Sequence, residues 1–368
     1  MTLLTAEELR DISRGSAVLA AGGGGDPYLG TLAAINAVEQ YGPPRLIDPD
    51  EVPDDATVAC PAVAGAPLPF IEKLTLGREL EVAYEALNRR VGHSPFALMS
   101  AEAGGVNMMI PLLMAARLGL PVVDADCMGR AFPEAPLTTL TLHDIGICPV
   151  AIADEHGNVV MVEAIDNYWA DPLCRAAYVE MGASVGVCAT PITGAQVREA
   201  GVLRSVTRAR EIGRAIRVAA ERKEDPVSQL LEVTGGFELF RGKIVDVERR
   251  TERGWTVGQV VVEGFGADAG PRLTIEFRNE NLVARRESGE VLATVPDIIT
   301  VIDADTGQAI TTERLRYGFR VIVFGMPADE QWRTPQGAEL AGPRHFGIDL
   351  DFVPIETLAA QHEIRSAT

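Results

Sequence analysis

Cysteine is scarce in this chain, and its five cysteines form no recognisable pattern. They are widely spaced and no two stand in a CxxC arrangement, which argues against a disulfide framework and against a structural zinc site. Long apolar runs are also missing, since none approaches the roughly 18 residues that span a bilayer. The first residues are acidic where a signal peptide is basic. We therefore expect a cytoplasmic protein.

Basic residues are outnumbered, with 33 Lys and Arg against 52 Asp and Glu and a net charge of −19. Such a surface repels phosphate backbones and anionic lipid headgroups, so nucleic acids and membranes are poor partners. Hydrophobic residues make up 47% of the chain, which is a globular composition and excludes disorder and collagen. The 368 residues exceed what one core of about 150 residues organises. Two domains are therefore expected.

The N-terminal half alternates short apolar stretches with helical patterns. Thr5 and Glu8 form a capping box before an amphipathic helix, and Asp26 with Pro27 marks the start of a second helix. Apolar stretches and helical patterns then follow in turn at 58–60, 79–91, 96–99, 107–118 and 121–124. We predict an α/β domain over residues 1–170, with a mainly parallel or mixed sheet, which carries the active site.

Residues 171–368 have a different texture. A basic helical stretch at 204–223 is typical of a solvated face or an intersubunit surface. β-Branched or alternating segments bounded by Gly, Asp or Pro follow at 243–247, 259–262, 272–277, 298–302 and 320–324. We predict linker helices followed by a β-rich C-terminal domain.

Four consecutive glycines, residues 22–25, join the first two predicted helices. Their amides, followed by Asp26 and a helix N-terminus, could form a cradle for an anion, so Gly23, Gly24, Gly25 and Asp26 are candidate substrate contacts. The alternative is a flexible turn between helices. A nucleotide site is not expected, because no strand precedes the glycines and no GKS or GKT follows them.

Polar residues follow two predicted strands of the N-terminal half. Glu102 and Asn107 come after the strand at 96–99, where open α/β sheets place their ligand crevice, although both could merely cap the next helix. Asp124, Asp126 and Arg130 surround Cys127 after the strand at 121–124. So much polarity in one turn indicates either paired or functional side chains.

Cys127 is the candidate nucleophile. Its place after a strand and beside Arg130 predicts a lowered thiol pKa, and the thiolate is the reactive form. His143, which follows a predicted strand at 137–142, is the preferred general acid or base, with His345 second. In the alternative interpretation Cys127 is an inert buried thiol and His143 is structural. The other four cysteines are interpreted as packing residues.

Several motifs together resemble one family over nearly the whole chain. They are Ala21-Gly-Gly-Gly-Gly-Asp26-Pro-Tyr28-Leu-Gly30, Glu102-Ala-Gly-Gly-Val-Asn107, Asp124-Ala-Asp-Cys-Met-Gly-Arg-Ala-Phe-Pro-Glu134, Asn279-Glu-Asn281-Leu, Pro296-Asp297-Ile-Ile and Gly342-Pro-Arg-His-Phe-Gly347. These motifs resemble the S-methyl thiohydantoin desulfurase family, which is associated with hydantoinase and oxoprolinase proteins. The resemblance implies a two-domain layout with a catalytic N-terminal domain and a β-rich C-terminal domain.

The implied reaction is hydrolytic C–S cleavage of a 2-methylthio-imidazolone propionate. It yields a hydantoin and methanethiol in the breakdown of S-methylated ergothioneine or related thiohistidines, and no cofactor is implied. Cys127 would displace methanethiol and form an S-linked intermediate. His143 would protonate the leaving thiol or activate water, and Asp124 or Asp126 would orient His143 or protonate the ring. Arg130 or the glycine amides would hold the propionate.

Two other functions stay open at the level of sequence. In the first, Asp124, Asp126, Glu102 and His143 bind a divalent metal that activates water. In the second, the chain is a non-catalytic partner subunit of a hydantoinase-type enzyme and docks through its β-rich domain. Whichever of these functions applies, we expect a homo-oligomer.

Overall fold

The computed structural model describes residues 2–65, 77–252, 255–362 and 365–366. Contacts along and across the chain divide it into two compact units. Unit 1 consists of Met1–Ser13, Asp26–Gly129 and Glu134–Arg208. Unit 2 consists of Arg14–Gly25, Arg130–Pro133 and Ala209–Thr368. Within the described ranges, no helix has both the length and the apolar character needed to cross a membrane.

Unit 1 is built around one mixed sheet. Its described strands are β1 (Thr2–Leu3), β2 (Arg45–Ile47), β3 (Thr57–Gly65), β4 (Ala97–Leu98), β5 (Pro121–Val123), β6 (Ala125–Asp126), β7 (Val150–Ala153), β8 (Val159–Val162), β9 (Ser184–Thr193) and β10 (Val202–Leu203). Among the described residues, the order of the main sheet is β1-β2-β5-β4-β3-β9-β7-β8, and β6 pairs with β10 separately.

The centre of this sheet is parallel. β2 pairs with β5, β5 with β4 and β4 with β3 in parallel, whereas β9 lies antiparallel to both β3 and β7. β7 and β8 form an antiparallel hairpin at one edge. Every residue of β4 and β5 is buried, as expected for strands covered on both faces. The predicted α/β domain with a mixed sheet is confirmed.

The helices alternate with the strands of unit 1 and are fewer in the C-terminal part. They are α1 (Ala6–Leu19), α2 (Tyr28–Tyr41), α3 (Arg78–Val91), α4 (Ile110–Leu118), α5 (Thr139–Leu142), α6 (Asn167–Glu180), α7 (Gly194–Ala200), α8 (Ser205–Arg222), α9 (Pro226–Thr234), α10 (Pro335–Ala341) and α11 (Ile355–His362). α1 begins with the predicted capping box: the amide of Glu8 donates to Thr5 Oγ1 at 3.3 Å, and the amide of Thr5 donates to Glu8 Oε2 at 2.9 Å.

One local prediction in this unit is wrong. The Leu and Thr pattern at 137–142 predicts a strand, but the structure forms the one-turn helix α5 there. The amide and the hydroxyl of Thr139 both donate to the carbonyl of Cys127, at 2.8 and 3.0 Å. These long-range hydrogen bonds begin a helical turn and override the β propensity of threonine.

Unit 2 contains a long antiparallel sheet. Its strands are β11 (Phe237–Glu252), β12 (Trp255–Gly264), β13 (Arg272–Arg278), β14 (Glu280–Arg286), β15 (Val291–Thr294), β16 (Ile298–Asp303), β17 (Arg320–Met326) and β18 (Arg365–Ser366). In the described part of the chain, the order is β15-β14-β13-β12-β11-β17-β16, and β18 pairs with β11. The buried side of β13 alternates as Leu273, Ile275 and Phe277, the period of a half-buried strand. The predicted β-rich C-terminal domain is confirmed.

The two units are less contiguous than a division at residue 170 predicts. Unit 1 continues to Arg208 because β9 lies inside its sheet, in register with β3 at Ala62 and Val187. Unit 2 includes Arg14–Gly25 and Arg130–Pro133, two short segments from the N-terminal half. Sequence patterns locate elements but not the tertiary contacts that assign a short segment to one core or another.

Candidate functional site

The turn that carries Cys127 is held on both sides. β6 ends at Asp126, and the Asp126 carboxylate accepts hydrogen bonds from the amides of Met128 at 2.8 Å and Gly129 at 2.7 Å. This arrangement is a side-chain turn of the kind that aspartate favours. The Cys127 carbonyl accepts the two hydrogen bonds from Thr139. The backbone at Cys127 is therefore fixed.

The thiol of Cys127 is buried, with 2% of its surface exposed. Its S–H donates to the sulfur of Cys60, and this hydrogen bond, together with burial and the nearby Cys60 and Asp126 charges, raises the pKa of Cys127 well above its usual value. The predicted lowering by Arg130 is therefore wrong. Low-dielectric surroundings and negative neighbours both favour the neutral thiol, so Cys127 carries its proton at neutral pH.

Cys60 is a neighbour of Cys127 that sequence reasoning treats only as packing. It lies on β3, is 1% exposed, and its sulfur lies 4.0 Å from the carbonyl oxygen of Ser100. Both cysteines belong to the apolar core of unit 1. No local pattern in the sequence could have linked them, because they are far apart in the chain and meet only in the core of unit 1.

Asp124 serves as a cap for a helix distant in sequence. Its Oδ1 accepts the amide of Thr207 at 3.0 Å, its Oδ2 accepts the Thr207 hydroxyl, and its carbonyl accepts the amide of Arg204. Thr207 lies in the first turn of α8, where amides lack partners within the helix. This carboxylate is consequently used to fix the beginning of α8.

Glu102 and Asn107 lie together and fix a loop onto β3, and their predicted contact with substrate stays a prediction. Asn107 Nδ2 donates to Glu102 Oε1 at 2.8 Å and to the carbonyl of Val63 at 3.1 Å, and Asn107 Oδ1 accepts the amide of Val63 at 2.8 Å. The hydroxyl of Ser100 donates to the carbonyls of Glu102 and Asn107. The side chain of Asn107 thus forms hydrogen bonds to β3 like those of a neighbouring strand. Glu102 lies next to Asn107 and is 7% exposed.

His143 follows the last residue of α5, whose first residue contacts Cys127. The imidazole is exposed, in contrast to the buried thiol. His345, the second candidate, lies in unit 2 on a short 3₁₀ turn, with its ring 5.0 Å from that of Phe346 in an edge-to-face arrangement. The two candidate histidines are therefore in different units, and His143 is in the unit of Cys127.

The first two glycines of the run are required by packing within unit 2. The φ angle of Gly22 is +85°, and a Cβ on it would lie 2.8 Å from Asn281 Nδ2. A Cβ on Gly23 would lie 2.0 Å from Glu280 Oε1, and the Gly23 amide already donates to Ala20. Gly23 is consequently not a free anion donor. Sequence reasoning did not identify Glu280 and Asn281 as its neighbours.

Gly24 and Gly25 also have left-handed backbones, with φ of 65° and 73°, and are half-buried. They are the members of the run that stay candidates for a ligand contact. Asp26 lies in unit 1, where its carboxylate accepts the amide of Tyr28 at 2.9 Å. Its predicted role at the beginning of α2 is thereby explained without a ligand.

Arg130 is fully buried in unit 2. Its Nε donates to the carbonyl of Ala131 at 3.0 Å, and its Nη1 donates to the carbonyls of Pro296 and Asp297. The guanidinium lies 4.4 Å from the ring centre of Phe132. Burial lowers the pKa of Arg130 to about 10, against the opposing effect of Glu280 and Asp297. Nη2 has no hydrogen-bond partner among the described residues. Of the guanidinium nitrogens, Nη2 is therefore the one that could donate to the predicted propionate.

The predicted metal ligands are not gathered into one centre. Across the described ranges, no three His, Cys, Asp or Glu side chains are grouped as a metal ion would require. Asp124 and Asp126 point to different amides, at Thr207 and at Met128. The four-ligand set of the alternative hypothesis therefore does not fit this arrangement.

A surface groove of about 380 Å³ in unit 1 lies elsewhere. It is lined by Asn36, Ala37, Gln40, Tyr41, Gly77, Arg78, Glu81 and Arg117. Arg117 and Glu81 form an ion pair across it at 3.4 Å. The predicted site residues are not part of this lining.

Two family models together match residues 7–355 of the chain. The S-Me-THD-like N-terminal domain matches residues 7–164, and the S-Me-THD-like C-terminal domain matches residues 165–355. The chain belongs to the S-Me-THD-like family. The resemblance to S-methyl thiohydantoin desulfurases is thereby confirmed. The first of these domains contains Cys127, Cys60 and His143, and the second contains Glu280 and Asn281.

A crystal structure shares the fold of this S-Me-THD-like chain. It is an X-ray structure of a protein from Chromobacterium violaceum, with 22% sequence identity and a TM-score of 0.79 over 96% of this chain and 100% of that one. At this identity the likeness speaks for the fold alone. No curated protein sequence matches the chain.

Proposed function

We propose that the chain hydrolyses the C–S bond of an S-methyl thiohydantoin through an intermediate on Cys127. The observation that carries this proposal is membership in the S-Me-THD-like family together with a fixed, buried thiol in its N-terminal domain. The substrate would be a 2-methylthio-imidazolone bearing a propionate, and the products a hydantoin and methanethiol. We place the reaction in the breakdown of S-methylated ergothioneine or related thiohistidines.

The protonated state of Cys127 suits the first step. The carbon that bears the S-methyl group is amidine-like and accepts a nucleophile once its ring nitrogen is protonated. The Cys127 proton moves to that nitrogen while its sulfur bonds to the carbon, so that S–H adds across the C=N bond. A raised thiol pKa keeps this proton available until the substrate takes it.

The second half of the reaction exchanges sulfur for oxygen. The nitrogen electron pair restores the C=N bond, the bond to the methylthio group breaks, and methanethiol leaves with a proton. Water then adds to the same carbon, the bond to the Cys127 sulfur breaks, and the thiol regains its proton. The ring keeps the water oxygen as the hydantoin carbonyl. No oxidant or reductant is needed.

The remaining predicted residues divide into two roles in this proposal. His143, the exposed group at the end of α5, would give the proton to methanethiol or take one from water. Asp124 and Asp126, whose carboxylates accept backbone amides, would act as positioning residues. The roles of Arg130 and of the other predicted contacts in substrate binding stay predictions.

The decisive experiment follows product formation and the enzyme mass together. Purified protein is mixed with the methylthio-imidazolone propionate in ¹⁸O-labelled water, and hydantoin, methanethiol and the intact protein are measured. We expect labelled hydantoin and a protein whose mass is increased by that of the substrate minus methanethiol. Cys127→Ser should lose several orders of magnitude in rate, since a serine hydroxyl is a far weaker acid and nucleophile than a cysteine thiol.

Cys188→Ser is a matched control, because Cys188 is equally buried in the same unit. It should keep most of the activity. Near-native turnover by Cys127→Ser would contradict covalent catalysis. Loss of turnover on chelation, with activity restored by a divalent metal, would instead support the metal-dependent hypothesis. Absence of any turnover would favour the partner-subunit hypothesis.

A further inference from the structure

An apolar stripe runs along the outer side of α6 in unit 1. Ile165, just before the helix, is 87% exposed, and Tyr168 and Trp169 are each 56% exposed. Leu173 and Val179 continue the stripe at 45% and 69% exposure. The opposite side of α6 packs Ala170 and Cys174 into the core. A helix that is apolar on both sides is expected to be covered on both sides.

The stripe continues onto an open sheet edge. Among the described residues, β8 is the last strand of the mixed sheet of unit 1, so one row of its amides and carbonyls faces away from β7. Val160 is two residues from Val162, which packs with Ala170 in the core. Residues two apart on a strand share a face, so Val160 lies on the face that α6 covers. Val160 is 36% exposed.

The size of this face matches a stable interface. For six large side chains of roughly 150–250 Å² each, the exposed fractions amount to about 600 Å² of side-chain surface. The largest apolar patch on a typical monomer is about 300–600 Å². A stable dimer buries about 800 Å² on each partner, and part of that is polar rim. These six side chains therefore supply most of one half of such an interface.

The chemistry of the face favours a second copy of this chain as its occupant. An open strand edge is complementary to itself, because two identical strands related by a two-fold axis pair antiparallel. Two charged residues beside the stripe, Asp171 and Arg175, neutralise each other at 2.6 Å. This ion pair adds no net charge to the face, whereas Glu180 is exposed at the end of α6 and has to stay at the solvated rim of the contact.

We propose that the face formed by α6 and β8 binds the same face of a second copy across a two-fold axis. β8 of each copy extends the sheet of the other, and the two α6 stripes pack together. This proposal does not depend on the reaction proposed above.

The test is the molar mass of the full-length protein in solution. Light scattering after gel filtration and sedimentation velocity should show a dimer, or a multiple of one, over a wide dilution range. Trp169→Glu combined with Leu173→Glu should halve the mass. Tyr317→Glu is the control, since Tyr317 is 71% exposed in unit 2, and it should leave the mass unchanged.

A second variant separates loss of the interface from loss of the fold. Val160→Lys places a charge on the open strand, a common natural device against edge pairing, and should raise the dimer dissociation constant by about tenfold or more. Circular dichroism should show an unchanged fold. A wild-type monomer at every concentration would overturn the proposal, as would folded variants that keep the wild-type mass.

Discussion

The protonation state of Cys127 should appear in the alkaline stability of the protein. The folded state raises the pKa of this thiol through the hydrogen bond to Cys60 and through burial, whereas in the unfolded chain a cysteine ionises near a pKa of about 8.5. A raised folded pKa stabilises the protein fully below the unfolded pKa. That stabilisation is lost as the pH rises above about 8.5, because the unfolded chain then gains free energy by releasing the proton.

The magnitude follows from the unfolded thiol alone while the folded one stays neutral. Ionisation stabilises the unfolded chain by about 1.4 kcal/mol at pH 9.5 and about 2.7 kcal/mol at pH 10.5. Cys127→Ala removes this contribution. The variant has its own pH-independent cost from the deleted sulfur, so the slope with pH is the informative quantity. For a unit of about 200 residues, the Tm difference between variant and wild type should change by about 4 °C between pH 8 and pH 9.5.

The assay is thermal unfolding followed by circular dichroism from pH 7 to pH 10.5. Cys148→Ala is the control. Because Cys148 is only half-buried, this substitution should reduce the pH dependence of Tm less than Cys127→Ala does. Equal pH slopes for wild type and Cys127→Ala would refute the reasoning. They would mean that Cys127 ionises as easily in the folded protein as in the unfolded chain, so that burial and Cys60 do not raise its pKa.

Three further predictions concern residues of the candidate site. Gly24→Val and Gly266→Val both place a β-branched residue at φ of 65°, and each should lower the free energy of unfolding by about 1–2 kcal/mol. Only Gly24→Val should also lower kcat/KM if Gly24 contacts substrate. Equal kcat/KM values for the two variants would mean that the glycines at 22–25 form only a turn. Asp124→Ala removes the cap on Thr207 and should cost about 1–2 kcal/mol in urea unfolding; no measurable change would deny the capping role. Arg130→Lys loses the Nε and Nη1 donors that hold three carbonyls and should cost about 2–3 kcal/mol in the same assay, whereas wild-type stability would show that the charge alone suffices.

Most of the helices and strands that can be predicted from the sequence are marked by residues close together in the chain. Thr5 and Glu8 mark α1 because a capping box is made by residues three apart, and the alternation of Leu273, Ile275 and Phe277 marks β13 because its pattern is contained in the strand itself. The segment at 137–142 shows the limit. Its Leu and Thr residues favour a strand locally, yet two hydrogen bonds from Thr139 to Cys127 make it a helix.

The same distinction separates the predicted roles of the two aspartates. Asp126 makes contacts within three residues, so its turn could have been inferred from Asp126 followed by Gly129, a residue pair typical of side-chain turns. Asp124 is engaged by Thr207, 83 residues away, and no pattern around Asp124 contains that information. Both were predicted to be paired or functional, because isolated carboxylates at a strand end are costly to bury. Backbone amides offset that cost at both positions. A cluster of acidic residues in a sequence therefore indicates first that each carboxylate needs a hydrogen-bond donor, and only then that it could be catalytic. Cys127 is the residue of this turn that retains a chemical role to test.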